Sequence, residues 1–117
     1  MVLNYDGKEV RLGNHVDIMG SVEGISGVGA LALVFITTLY NDSLSTQANA
    51  LYAQQNDSAA PSGSSWDGKN FAAGDRVYVP CRVTAITGDG VTAQLTVTLD
   101  QTGASATVSA GTVRSHG

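Results

Sequence analysis

The chain has 117 residues, 43% of them hydrophobic and only 14% charged, with a formal net charge of −4. That composition is too apolar for a disordered chain and long enough for one ordinary domain or two very small ones. The six basic residues are scattered along the sequence, and Cys81 is the single cysteine. This weighs against a nucleic-acid partner, which needs a basic patch, and excludes an intrachain disulfide and a cysteine-rich metal site.

Residues 1–6 lack the basic and apolar regions of a secretory signal. The most apolar run, Val28 to Ile36, is too short to span a bilayer. The expectation is a protein made in a reducing compartment that does not enter the membrane.

Tyr5-Asp6-Gly7-Lys8 reads as a turn, because Asp-Gly is a strong turn dipeptide. Gly13-Asn14 then opens a strand with Val16, Ile18 and Val22 as its apolar positions. Gly27-Val28-Gly29 is expected to turn the chain, and residues 30–37 to form the next strand. The same series returns from Trp66-Asp67-Gly68-Lys69 onward. Residues 5–38 and 66–99 align without a gap and share eleven identities in thirty-four positions, where roughly three are expected by chance. Gly13 falls on Gly74, Val16 on Val77, Ile25 on Ile86, Gly27 on Gly88 and Thr37 on Thr98. This predicts two diverged copies of one β module.

The second copy is the clearer one. Gly88-Asp89-Gly90 predicts a hairpin turn, and Val91–Leu99 alternates apolar and polar residues as a half-buried strand does. Asp100-Gln101-Thr102-Gly103 turns again. Residues 106–108 and 112–114 are two last short strands. In the first copy their counterparts are Ser45-Thr46-Gln47 and Leu51-Tyr52-Ala53, although Ala, Gln and Leu also permit a short helix over residues 46–55. The organisation expected is a first barrel repeat over residues 1–55, a linker over 56–65 and a second repeat over 66–117. Tyr5 and Trp66 open the copies at matched positions, as a barrel plug or as ligand-stacking rings.

The stretch Gly-Asp-Arg-Val-Tyr-Val at 74–79, with Val-Thr-Ala-Ile-Thr-Gly-Asp-Gly, Leu-Thr-Val-Thr-Leu-Asp and Ala-Thr-Val-Ser-Ala-Gly-Thr-Val after it, resembles the small SH3-like barrels of tailed-bacteriophage head, decoration and head–tail proteins. The resemblance covers residues 74–114 well and 13–53 less well. It implies an all-β tandem of five-stranded antiparallel barrels in a non-enzymatic virion component, such as a capsid decoration or cement protein. The partners implied are its own copies or a capsid shell. A cellular binding module for peptide, glycan or nucleic acid is the alternative.

No residue pattern points to catalysis, a cofactor or a metal. Gly27-Val28-Gly29-Ala30-Leu31-Ala32 matches a dinucleotide fingerprint, but that motif needs a helix after it and β-like sequence follows. His15 and His116 lack a second ligand at metal spacing. The acidic residues fall mostly in turns, and Cys81 sits mid-strand as a small buried residue.

The functional signal is a difference between the copies. The second copy has Thr92, Gln94 and Thr96 on the outer face of its strand, where the first has Leu31, Leu33 and Phe35. Apolar residues on both faces of a strand predict burial of both. Leu31, Leu33 and Phe35 are therefore expected to form an interface, either with the second copy or with another chain.

Overall fold

A computed structural model describes residues 1–53, 63–64 and 69–116. Most of the expected linker, and Trp66, lie outside the described residues. The fold is all-β, a nearly closed barrel-like sheet. The strands are β1 (His15–Ser26), β2 (Leu33–Thr38), β3 (Ser43–Gln47), β4 (Tyr52–Ala53), β5 (Gly63–Ser64), β6 (Asn70–Phe71), β7 (Arg76–Thr87), β8 (Gln94–Leu99), β9 (Ser105–Ser109) and β10 (Val113–Ser115). Among the described residues the only helical turns are 3-10 turns at Gly29–Leu31, Ala48–Ala50 and Ala110–Thr112.

The two 12-residue strands β1 and β7 form the spine. They run antiparallel from His15↔Arg82 to Ser21↔Arg76, with Ile18 opposite Val79 at the centre. Each then loses register once, β1 between Val22 and Gly24 and β7 between Val83 and Ala85. A bulge of this kind bends a strand. Beyond the crossing β1 is flanked by β2 and β7 by β8, so the sheet runs β3-β2-β1-β7-β8-β9. The short strands cross over: β10 pairs with β1, and β4 pairs with β7. β5 and β6 form a separate two-stranded piece.

The period-2 pattern explains the core. Val16, Ile18 and Val22 point inward from β1, as do Val77, Val79, Cys81 and Val83 from β7. Val34 and Ile36 on β2 and Leu95, Val97 and Leu99 on β8 close over them. All belong to one continuous hydrophobic cluster drawn from both segments. Each of these side chains stabilises the fold by roughly 1.5–3 kcal/mol when fully buried.

Several expectations change. β8 starts at Gln94, so Val91 and Thr92 belong to the preceding turn. On the first segment Leu31 and Ala30 lie in a 3-10 turn, and Ala30 is exposed instead of facing the core. The cause is the Gly-x-Gly turn: Gly27 and Gly88 adopt φ of +91° and +97°, a conformation glycine favours. It carries the chain past the point where alternation alone starts a strand. Residues 43–53 keep the expected pair of short strands, around a 3-10 turn, and the helix alternative falls. Tyr5 is 57% exposed and plugs nothing.

Candidate interaction surface

The outer face of β2 is set by its neighbours. Phe35 lies between Gly24 on β1 and Ser45 on β3, and Leu33 between Ser26 and Gln47. These flanking residues are small or polar, so the two apolar side chains stand above them. Leu33 is 40% exposed and Phe35 44%. The 3-10 turn before β2 adds Leu31 at 72%, and the bend before it adds Val28 at 79%. A shallow groove runs beside Phe35, lined by Glu23, Thr37, Ser43, Leu44 and Ser45. Glu23 accepts a hydrogen bond from the Thr37 hydroxyl there, at 2.8 Å.

The structure thus brings Leu33 and Phe35 onto one strand face and puts Leu31 on the adjoining turn. All three are exposed, and the 3-10 turn that carries Leu31 lies against β5. Val28 was missed in the sequence, although the same alignment places it opposite Asp89. The corresponding surface of the second segment is polar. Thr92, Gln94 and Thr96 replace the apolar row, and Asp89 pairs with the Met1 amino group. That pairing, helped by the Gly90 amide, holds the Asp89 carboxyl below its ordinary range.

A second grouping lies over the crossing of β1 and β7. His116 donates from Nδ1 to Asp17 at 2.6 Å, and His15 pairs through Nε2 with Asp100. The two imidazole rings are 4.0 Å apart. The Arg114 guanidinium carbon sits 4.0 Å above the Tyr78 ring, and its Nε is 3.8 Å from Asp17. Ring stacking extends to Tyr52, 6.2 Å from His116. Sequence reading left these histidines apart because 101 positions separate them (116 − 15). Cys81 lies buried beside the crossing, its thiol donating weakly to the Val16 carbonyl. Burial pushes that thiol up to about 12, with the charges of Asp100 and Asp17 adding to the effect. It is not a ready nucleophile.

Among the described residues no group of three or more His, Cys, Asp or Glu side chains is placed to hold a metal ion. No helix among them is long and apolar enough to cross a membrane. Comparison with family models, curated proteins and solved structures finds no match for the chain.

Proposed function

We propose that the chain is a non-enzymatic structural subunit that assembles into or onto a protein shell, as the virion decoration modules it resembles do. In this reading the chain is an internal duplication of an SH3-like barrel module whose copies have exchanged their last strands. The equal lengths of β1 and β7, their bulges at an offset of 61, and the reciprocal pairing of β4 and β10 support the duplication.

The observation that carries the function is the exposed apolar row on one segment alone. A row of this kind marks an association surface. The second segment keeps Thr92, Gln94 and Thr96 at matching positions, so the scaffold itself does not require apolar residues there.

The test is the triple substitution Leu31→Thr, Leu33→Gln, Phe35→Thr, followed by sedimentation and thermal melting. The wild-type chain sediments as an assembly and the variant as a 12.0 kDa folded monomer. Exposed positions away from special contacts change stability by only about 0.5 kcal/mol, so the monomer's melting moves little. An association state untouched by the triple substitution removes the support for this reading.

A further inference from the structure

Both histidines of the chain meet at the end of the β1–β10 pair, although 101 positions separate them (116 − 15). We infer that His15 and His116 form a two-histidine site for a transition-metal dication of the zinc class. The site is independent of the apolar row and of the assembly reading.

The register puts the two side chains on one face. Val16 pairs with Ser115, and one step further along the His116 amide donates to the His15 carbonyl at 3.1 Å. Residues directly opposite each other on a sheet hold their Cβ atoms about 4.5–5.5 Å apart. The imidazole centroids are 4.0 Å apart. Two imidazoles on one tetrahedral ion, each about 2.0–2.1 Å from it, have centroids about 5 Å apart, so the rings open by about 1 Å to take the ion. Both side chains stand partly in solvent, His15 at 27% and His116 at 31% exposure.

The hydrogen bonds decide which nitrogens are left for an ion. An ionised carboxylate only accepts, so a neutral imidazole beside it carries its proton on the paired nitrogen. His116 donates from Nδ1 to Asp17 at 2.6 Å, which leaves the lone pair on Nε2. His15 is paired through Nε2 with Asp100, which leaves the lone pair on Nδ1. Among the described residues neither of these second nitrogens has a hydrogen-bond partner. One nitrogen on a carboxylate and the other open is the arrangement of metal-ligating histidines, where the carboxylate fixes the tautomer and the ring. Both histidines have it.

The scaffold does not ask for this pair, since Arg76 stands on β7 where His15 stands on β1. The guanidiniums nearby are engaged. Arg114 lies over Tyr78 beside Asp17, and Arg82, opposite His15, donates to the Gly13 carbonyl at 3.4 Å. Imidazole suits zinc, copper and nickel, whereas magnesium and calcium take oxygen ligands. Two protein ligands are fewer than the four of a structural zinc site, so water completes the shell and the affinity is on the order of micromolar. An ion held there clamps β10, which pairs with β1 over three residue pairs.

The experiment titrates the full chain with zinc chloride by calorimetry, and with calcium chloride in parallel. One Zn²⁺ binds per chain and Ca²⁺ does not. Binding weakens from about pH 8 to about pH 5, as protons compete for the ligating nitrogens. A trace of paramagnetic Cu²⁺ broadens the NMR signals of His15 and His116 first. Asp100→Asn changes only the group behind His15 and weakens Zn²⁺ binding roughly 10-fold. His15→Gln and His116→Gln remove a ligand outright and each weakens it roughly 100-fold. Circular dichroism checks that each variant is folded, and if one unfolds, the other, on the partner strand, carries the test. No Zn²⁺ uptake at about millimolar concentration overturns the site. Uptake that survives in the double variant His15→Gln with His116→Gln overturns it too, as does broadening centred on other residues. Ca²⁺ uptake as strong as that of Zn²⁺ assigns the binding to carboxylates and overturns it as well.

Discussion

β1 and β7 are the same length and bend at the same place, yet they serve different surroundings. Inward positions are conserved in kind: Val16 and Val77, Ile18 and Val79, Val22 and Val83 all face the shared core. The surface rows diverge: Val28, Leu31, Leu33 and Phe35 stand where Asp89, Thr92, Gln94 and Thr96 do in the second segment. The core pattern maintains the barrel-like sheet, while the outer row is free to differ between the segments. It also shows where the two segments depend on each other. Ile18 and Val79 pair directly at the crossing, so neither core is complete without the other segment's long strand.

The largest effect is expected from Ile18→Ala. The side chain is fully buried at the centre of the crossing. Its removal costs about 2–5 kcal/mol. Because one hydrophobic cluster spans both segments, denaturant unfolding followed by circular dichroism and by NMR signals from each segment gives one coincident transition. Two separated transitions would show that the segments unfold independently.

Next is Asp17, whose position in β7 is held by Tyr78. Asp17 is 5% exposed and anchors β10 through His116 and Arg114. Asp17→Asn loses charge-assisted contacts of about 1.5–3 kcal/mol. Amide exchange at Arg114 and Ser115 accelerates, while β4, paired with β7 opposite Tyr78, keeps its protection. Equal acceleration in both strands would mean that Asp17 holds the whole crossing instead of one strand.

Gly20 is a buried position of β1 whose counterpart in β7 is Cys81. A Cβ at Gly20 would lie 2.6 Å from Ile36 Cγ2 and 2.9 Å from the Thr37 carbonyl oxygen. Gly20→Cys therefore overpacks β1 where β7 accepts the same residue, at a cost of about 1–3 kcal/mol. Denaturant midpoints at constant slope measure it, and an unchanged midpoint would show that β2 yields freely.

The smallest effects at neutral pH concern titration. The Cys81 thiol is raised from 9.0 to about 12 in the folded chain. The unfolded chain then releases its proton first, so stability is complete below pH 9.0 and falls as pH rises from there toward 12. Cys81→Ala removes this alkaline slope, and a slope that persists in the variant assigns it to another group. For Asp89 the sign is opposite. Its lowered carboxyl adds stability at neutral pH that is lost as pH falls through the carboxylate range. Solvent screens this exposed pair, so Asp89→Asn changes the acid limb only slightly.

Much of the local structure was legible in the chain. Alternation at Val77-Tyr78-Val79 and Leu95-Thr96-Val97 sets which side chains face inward, because successive strand residues point to opposite faces. Gly27 and Gly88 mark turns that need positive φ. The apolar row was legible from the contrast between segments, and Leu33 and Phe35 lie on the outer face as that contrast implies.

Tertiary structure alone decided the partners. A period-2 pattern states which face of a strand is buried, but it fits any neighbouring strand equally well, and register is settled by how the core packs. The pairing of Ile18 with Val79, the crossing of β4 and β10, and the stacking of His15 on His116 all join residues at least 24 positions apart (77 − 53). The end of the turn that Gly27 begins is joined to a distant segment as well, by the Ala48 amide donating to the Ala32 carbonyl. Such contacts depend on the path of the whole chain, which no local preference contains.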